Sequence, residues 1–327
     1  MKLGTIGTSW ITSAFIDAAK EQGTLELQAV YSRTEQKAKD FAEQHNAAGY
    51  FTNLEEMAKS ESIDCVYIAS PNSMHFEQVM LFLKHKKHVF CEKPMFSNQA
   101  ELMKAFQEAE DNGVFLFEAL RNIHMPKFQA LKENINRGGK LRSAVLNYSK
   151  YSSRYHNVLN GEEPNIFSLD FSGGALVDLG VYPLTAAIVL FGKPDQATYS
   201  PVKIKTGVDG GGTLLLHYPN FTCTILCSKI TTSFNPSEIH GEKGTFVIDD
   251  MGAFSNVSLK HIHTSEESVI GKDHIHHDMF FEIEAFVGII ENNDKAEYDK
   301  LRKVSMDVLE ITEKVRKNNG IIFAADK

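Results

Sequence analysis

Residues 63–94 read IDCVYIASPNSMHFEQVMLFLKHKKHVFCEKP, which is a buried strand, an amphipathic helix and a second buried strand. The apolar runs at 63–69 and 87–91 are short, as the central strands of a parallel sheet are, and 73–86 has helical spacing. Parallel neighbours need a crossover of this kind. The stretch therefore predicts one unit of a doubly wound α/β sheet.

The same alternation of strand and helix extends over the first 120 residues or so. Asn53 and Glu56 suit the cap of one short helix. The other expected strands are 2–7, 25–31 and 114–118, and the other expected helices are 10–22, 34–45 and 97–112. Alternation at this spacing predicts a parallel, doubly wound sheet with right-handed crossovers.

The pattern changes near residue 120 and then favours strands. The expected strands are 141–151, 197–206, 212–218, 221–229, 236–241 and 244–250. Helices are expected at 124–137, 174–191, 278–293 and 299–318. We therefore predict a dinucleotide-binding domain over 1–120 and an α+β domain with a large, mostly antiparallel open sheet over 121–327.

Composition excludes several classes of function. The chain has 327 residues, a net charge of −8 and 43% hydrophobic residues, which suits two folded domains without general affinity for nucleic acid or anionic membranes. No apolar run reaches ~18 residues, and the chain opens on a strand rather than a signal peptide. Four cysteines without a C-x-x-C pair suit a reducing cytoplasm. Histidines at 261, 263, 274, 276 and 277 lack firm metal-ligand spacing, so no metal site is expected.

The first expected strand runs into GTIGTSWIT at 4–12, which aligns with a G-x-G-x-x-G/A fingerprint at Gly7, Ser9 and Thr12. Such a loop places a pyrophosphate at the N-terminus of the following helix. An ordinary strand–helix turn is the alternative, since one glycine of the fingerprint is present. The residues expected to contact a dinucleotide here are Gly7, Thr8, Ser9, Trp10 and Ile11.

The end of the second strand bears on the choice of cofactor. An NAD-binding unit usually has Asp or Glu here, which accepts a bond from the ribose 2′-hydroxyl. This chain has Ser32, Arg33 and Lys37, which attract a 2′-phosphate instead. We therefore expect NADP over NAD, with NAD still possible. The alternative is that both cations are solvated charges at a helix start.

Polar groups follow the next two strands of the sheet. Ser70, Pro71 and Asn72 end one strand, with His75 three residues on, and Glu92-Lys93-Pro94 ends the next. Ligands of open α/β sheets bind outside the carboxyl ends of the strands. Lys93 is therefore expected beside the nicotinamide ring, and the proline after it could hold a cis bond.

With these motifs the chain resembles the glucose–fructose oxidoreductase/inositol dehydrogenase/MocA family over nearly its whole length. The resemblance rests on GTIGTSWIT, SPN with His75, EKP, and GGALVDLGVYPL at 173–184, in that order. It implies a Rossmann domain and a second domain whose open sheet often mediates a homodimer or homotetramer. It also implies a catalytic lysine at Lys93, with Asp178 and Tyr182 on the second motif. Cofactor contacts at Asn72, His75 and Glu92 follow from it too, and pocket residues are expected at Arg121, His124 and Tyr155.

The chemistry of these side chains fits reduction of a carbonyl or its reverse, which needs a hydride and a proton donor at the oxygen. Tyr182 would give or take the proton while Lys93 polarises the oxygen, or the two roles are reversed. Asp178 would bind substrate hydroxyls or hold Lys93. The alternative is that Asp178 and Tyr182 are ordinary groups on a helix surface.

The leading interpretation is an NAD(P)-dependent oxidoreductase, NADP-preferring, that acts on a sugar, polyol or related small hydroxy or carbonyl compound. One alternative is a non-catalytic regulator that binds a dinucleotide and a protein partner. Another is redox-neutral chemistry through transient oxidation of the substrate. The sequence names neither the substrate nor the direction of reaction.

Overall fold

The computed structural model describes residues 1–264 and 266–327. Its internal contacts divide the chain into two compact units. The first comprises Met1–Ala119 and Ile275–Arg302, and the second comprises Leu120–His274 and Lys303–Lys327. The boundary near residue 120 is where the sequence pattern changes. The segment Ile275–Arg302, in contrast, lies with the first unit rather than with the rest of 121–327.

The first unit is built on a parallel sheet. Its strands are β1 (Lys2–Ile6), β2 (Glu26–Tyr31), β3 (Gly49–Phe51), β4 (Cys65–Ile68), β5 (His88–Glu92) and β6 (Leu116–Ala119). The helices between them are α1 (Trp10–Gln22), α2 (Glu35–His45), α3 (Leu54–Lys59), α4 (His75–Lys84) and α5 (Gln99–Asn112). The strand order is β3-β2-β1-β4-β5-β6, and each neighbouring pair of strands is parallel. This confirms the predicted doubly wound fold.

Local chemistry explains where these helices begin and end. The Asn53 amide oxygen accepts bonds from two backbone N–H groups in the first turn of α3, and the Asn98 amide oxygen does the same once for α5. Gly23 and Gly113 end α1 and α5 in the left-handed conformation. Caps of both kinds satisfy backbone groups that a helix leaves without partners.

The core of the first unit explains the placement of Ile275–Arg302. A helix, here named α9 (Phe280–Asn292), presents Ile283, Phe286 and Val287 to the sheet. The Phe286 ring stacks on that of Phe117, with centroids 4.5 Å apart. The amphipathic pattern of this helix is visible in the sequence, but nothing in the pattern says which of two apolar cores it fills.

The second unit is built on an open sheet within the described residues. Its strands are β7 (Leu141–Ser149), β8 (Gln196–Lys203), β9 (Asp209–Tyr218), β10 (Phe221–Ser228), β11 (Ser237–Gly241), β12 (Gly244–Ile248), β13 (Val257–His261) and β14 (Glu267–Val269). They lie in the order β14-β13-β12-β11-β7-β10-β9-β8. Among the described residues β7 and β10 pair in parallel and the other neighbouring strands pair antiparallel, so the predicted mostly antiparallel sheet is confirmed.

Helices accompany this sheet. They are α6 (Pro126–Asn134), α7 (Tyr155–Leu159) and α8 (Val181–Phe191), with α10 (Lys295–Asn318) divided between the units at Arg302. A π-helix at Leu176–Gly180 runs directly into α8, where the sequence predicted a regular helix over 174–191. Across the described residues, no helix combines the length and the apolar character that a membrane crossing requires.

Candidate active site

A cavity of about 550 Å³ lies at the carboxyl ends of β1, β2 and β4 in the first unit. The strand order reverses between β1 and β4, which is where open α/β sheets bind their ligands. The cavity is lined by Ile6, Gly7, Thr8, Ser9, Tyr31, Ser32, Arg33, Thr34, Lys37, Ala69, Ser70, Pro71, Met74 and Gln78.

Gly7 makes the tight turn from β1 into this cavity. Its φ of +112° is one that L side chains rarely adopt, and a Cβ there would lie 2.8 Å from the carbonyl oxygen of Ala69. Ser9, in the second fingerprint position, precedes α1, whose first turn carries no acidic residue. Thr12, in the third, is fully buried. The loop therefore keeps the helix N-terminus accessible to an anion although two glycines of the fingerprint are missing.

The side of the cavity at the end of β2 is basic. Arg33 and Lys37 are exposed, and no ion pair among residues 1–264 and 266–327 involves either of them. Glu35, the acidic residue between them, accepts a bond from the Tyr50 hydroxyl and does not line the cavity. Two cations without a carboxylate partner thus face this end of the cavity.

The structure brings together eight of the residues that the sequence assigned to a cofactor. Those that line the cavity are Gly7, Thr8, Ser9, Ser32, Arg33, Lys37, Ser70 and Pro71. Trp10, Ile11, Asn72, His75, Glu92 and Lys93 are not among its lining residues. The sequence reasoning missed Gln78, whose side-chain oxygen accepts a bond from the Ser70 hydroxyl at 2.7 Å. Its position on α4, two turns after the SPN loop, is a signal that could have found it.

The turn after β5 holds Lys93 in a fixed frame. The Tyr67 hydroxyl donates to Glu92 Oε1 at 2.6 Å, and the Met95 N–H donates to Glu118 Oε1 at 3.0 Å. The Lys93–Pro94 peptide bond is cis. Lys93 itself is half-buried. The bond between Tyr67 and Glu92 therefore connects β4 to the turn that carries Lys93.

His75 differs from the expectation of a cofactor contact. The side chain is 1% exposed, its Nδ1 lies 3.2 Å from the carbonyl oxygens of Pro94 and Met95, and its Nε2 lies 2.9 Å from that of Ser70. A neutral imidazole carries one N–H, so it donates either to the carbonyl oxygens of Pro94 and Met95 or to that of Ser70, according to its tautomer. Burial lowers the pKa of His75 below its ordinary value. Its position joins the SPN loop to the Lys93 turn.

Asp178 lies in the π-helix of the second unit and is paired with a lysine that the sequence analysis did not single out. Lys229 Nζ donates to Asp178 Oδ2 at 2.6 Å and to the carbonyl oxygen of Ile166 at 3.1 Å. The lysine side chain is 2% exposed, whereas that of Asp178 is 27% exposed. Single π-turns in helices are frequent at functional sites.

Tyr182 follows at the start of α8 and is 7% exposed. Its ring packs edge-on against that of Tyr148, with centroids 5.2 Å apart, and the Arg121 guanidinium carbon lies 6.0 Å from the ring centroid. The Asn122 amide donates to the carbonyl oxygen of Tyr182 at 3.0 Å, which fixes its backbone. The structure thus places Arg121, one of the expected pocket residues, beside Tyr182.

The other two expected pocket residues lie in different surroundings. Burial lowers the pKa of His124 to about 4, so its imidazole is neutral at neutral pH. The Tyr155 ring packs against that of Phe167, with centroids 5.8 Å apart. The centroid of the Phe167 ring lies 4.7 Å from Lys229 Nζ. Phe167 therefore connects Tyr155 to the salt bridge between Lys229 and Asp178.

In the part of the chain that is described, the histidines at 261, 263, 274, 276 and 277 belong to no group of His, Cys, Asp or Glu that could hold a metal ion. His276 pairs with Glu21 at 2.7 Å and stacks on Phe280. Helix α9 begins at Phe280, with Met279 before it.

Comparison with known proteins adds to this geometry. A family model described as the oxidoreductase family with an NAD-binding Rossmann fold matches residues 1–120, and the GFO/IDH/MocA C-terminal domain matches residues 128–247. The scyllo-inositol 2-dehydrogenase (NADP(+)) IolU of Bacillus subtilis (strain 168) is 40% identical over 100% of this chain and 99% of that protein. The chain belongs to the Gfo/Idh/MocA oxidoreductase family.

Further members of the Gfo/Idh/MocA family resemble the chain in sequence and in structure. The trans-1,2-dihydrobenzene-1,2-diol dehydrogenase of Macaca fuscata fuscata is 31% identical over 75% of the chain and 73% of that protein. KijD10, a 3-ketoreductase from Actinomadura kijaniata solved with TDP-benzene and NADP, has a TM-score of 0.82 at 21% identity, covering 97% of this chain and 96% of that one. At that identity the structural likeness supports the fold alone. The family predicted from the four motifs is confirmed.

Replacing His75 by a residue that does not titrate should change how the free energy of unfolding depends on pH. Because the pKa of His75 is lowered in the fold, the unfolded chain binds a proton that the native chain does not, so stability falls as pH falls below about 6.5. We expect His75→Gln to weaken this acid-induced loss in urea unfolding between about pH 7 and 5. The half-buried His217 supplies the control, His217→Gln. Equal pH dependence in both variants and the wild type would contradict the assignment.

Proposed function

We propose that the protein is an NADP-dependent oxidoreductase that transfers hydride between the nicotinamide and a CH–OH carbon of a ring polyol or sugar. The observation that carries the proposal is the cavity at the strand switch point, where Gly7 opens the turn and where Arg33 and Lys37 form no ion pair with any residue that the structure describes. The family membership of the chain supports the reaction class.

The preference for NADP follows from charge. A 2′-phosphate next to the ribose would meet Ser32, Arg33 and Lys37, which supply donors and positive charge. Glu35 does not line the cavity, and its Oε1 accepts a bond from the Tyr50 hydroxyl. The pyrophosphate would lie against the N-terminus of α1, behind Gly7 and Ser9. The name of the relative IolU includes the cofactor NADP(+).

Two residues would handle the proton of the reaction. The bound cofactor supplies the hydride acceptor or donor. Tyr182 would take the proton from the substrate hydroxyl, or return it in the reverse direction, while Lys93 polarises the same oxygen; the opposite assignment of these two roles stays open. The family resemblance is the reason for assigning Lys93 of the first unit and Tyr182 of the second to one reaction.

The substrate class follows from the acceptor that the second unit offers. Asp178 is a carboxylate paired with Lys229, and such a group accepts hydrogen bonds from hydroxyls. The names of the relatives include an inositol and a ring diol, which both carry vicinal hydroxyls. We propose a neutral ring polyol with one hydroxyl oxidised and a neighbouring hydroxyl bound by Asp178. Arg121, His124 and Tyr155 remain candidates for further substrate contacts.

Assembly and location complete the proposal. A homodimer or homotetramer through the sheet of the second unit and a cytoplasmic location are the arrangement we propose. Both rest on the family resemblance, the composition and the cysteine content of the sequence.

Cofactor choice can be read from the single tryptophan of the chain. Trp10 is 74% exposed and directly follows Ser9 at the cavity, so bound NADPH should quench its emission. Loss of one charged hydrogen bond is worth about 1.5–3 kcal/mol, so Arg33→Ala should raise the Kd for NADPH roughly 10- to 150-fold and leave that for NADH nearly unchanged. Lys39→Ala on α2, where Lys39 pairs with Glu43 and does not line the cavity, is the control. An equal loss for both cofactors would contradict the 2′-phosphate site.

The proton-transfer residues can be separated from cofactor binding. Lys93→Met and Tyr182→Phe should each lower kcat by about 10² to 10⁴ with scyllo-inositol or a related polyol, because each removes a group at the reacting oxygen. The Kd for NADPH should change little in Tyr182→Phe. Tyr218→Phe is a matched control, since Tyr218 is 8% exposed and its hydroxyl donates to the backbone carbonyl oxygen of Gly192 at 3.1 Å. Turnover retained in Lys93→Met would remove its catalytic role.

A further inference from the structure

We propose that Lys229 is a positioning residue that fixes Asp178 as an ionised acceptor for a substrate hydroxyl, and thereby makes the enzyme select substrates that carry a hydroxyl beside the oxidised carbon. The inference rests on the proposed function and adds a residue to it. No motif of the sequence marks Lys229.

The pair is asymmetric in its exposure. Lys229 is 2% exposed and Asp178 is 27% exposed, so a solute can reach the carboxylate but not the ammonium group. Lys229 therefore cannot bind substrate directly. Its effect on a substrate must pass through Asp178.

The ammonium group is held from several directions. Besides the bond of 2.6 Å to Asp178, Nζ donates to the Ile166 carbonyl oxygen at 3.1 Å and lies 4.7 Å from the centre of the Phe167 ring. An isolated buried charge is costly, and a pair in a low-dielectric interior holds strongly when its remaining donors are satisfied. Lys229 thus has little freedom to swing away from Asp178.

The backbone on both sides of the pair is also fixed. The Lys229 N–H donates to the Gly210 carbonyl oxygen at 2.8 Å, and its own carbonyl oxygen accepts from Ser152 N–H at 2.9 Å. The Leu176 N–H, at the start of the π-helix, donates to Asp209 Oδ2 at 2.7 Å. The sheet therefore anchors the lysine, and a second buried carboxyl anchors the helix that carries Asp178.

The positive charge of Lys229 also acts on the buried carboxyl group of Asp209. Burial raises the pKa of Asp209, while the Tyr199 hydroxyl and the positive charge of Lys229 oppose that rise. Gly174, at φ +135°, lets the chain pass close to this carboxyl, since a Cβ there would lie against Asp209 Oδ1. The charge of Lys229 thus acts on Asp209 as well as on Asp178, with which it forms the salt bridge.

This arrangement predicts discrimination against substrates that lack the hydroxyl. A site built to bond a hydroxyl leaves its polar group unpaired when the hydroxyl is missing, which disfavours the deoxy analogue by several orders of magnitude in favourable cases. Without Lys229, Asp178 would lose the salt bridge of 2.6 Å that orients its carboxylate. The preference for the hydroxylated substrate should then shrink.

The experiment compares kcat/KM for scyllo-inositol and a deoxyinositol at saturating NADP in five proteins: wild type, Lys229→Met, Asp178→Asn, the double variant and Lys127→Met. Lys127 is the matched control because it is 3% exposed and pairs with Asp273 in the same unit. We expect Lys229→Met to lower kcat/KM for scyllo-inositol about 10- to 100-fold, mainly through KM, in proportion to a lost charged hydrogen bond. The ratio between the two substrates should fall by a similar factor.

The double variant decides whether Lys229 acts through Asp178. In the Asp178→Asn background, Lys229→Met should add less than about 3-fold, because residues that act as a unit are not additive. Lys127→Met should leave the substrate ratio unchanged. If Lys229→Met does not fold, Lys229→Arg and Lys229→Gln replace it, and the Arg variant should keep the ratio while the Gln variant loses it.

Two failures are distinguishable. A wild-type enzyme that is active on ring polyols, together with a Lys229→Met ratio equal to that of Lys127→Met, would overturn the inference and leave the proposed function standing. Additive losses in the double variant would overturn it as well. No NADPH formation by the wild type with any ring polyol would overturn the proposed function and the inference together.

Discussion

The contact of the His75 imidazole with three carbonyl oxygens is the constraint on which the candidate site of the first unit depends. It connects the loop after β4 to the turn after β5. The first of these loops lines the cavity, and the second carries Lys93. Tyr67 and Glu118 hold the same turn from other sides, so the lysine is presented by a frame that is buried almost throughout. Preorganisation of this kind lets a catalytic group act without reorganising at the moment of reaction.

In the second unit a different set of contacts holds the candidate substrate-binding residue in place. Asp178 lies in a π-helix, and a buried lysine from the end of β10 fixes its carboxylate. Asp209 fixes the start of the same helix through the Leu176 N–H. Tyr182 follows one turn later, where Tyr148 packs against its ring. In both units, therefore, a fully buried polar side chain positions a partly exposed one that is proposed to meet the substrate.

The fold of the first unit and part of its cavity could be predicted from the sequence, because both depend on local sequence patterns. Strand–helix alternation predicts the parallel sheet that is observed. The motifs predict Gly7, Arg33 and Lys37 as cofactor contacts; all three line the cavity, and their contact with a cofactor stays a prediction. The role of His75 could not be predicted, since it depends on carbonyl oxygens 19 and 20 residues away as well as a nearer one. Lys229 pairs with a residue from another element, so no spacing announces it. The placement of α9 in the first core required knowing which of two apolar surfaces was incomplete.

The central claim is that a hydride passes directly between a ring polyol and NADP. Incubating the wild-type protein with NADP and an inositol deuterated at its CH–OH carbons, followed by mass spectrometry of the reduced cofactor, tests it most directly. Direct transfer should give NADPH that is one mass unit heavier than ordinary NADPH and carries the deuterium at one face of the nicotinamide. NADPH without deuterium, or an oxidised polyol without reduced cofactor, would contradict it.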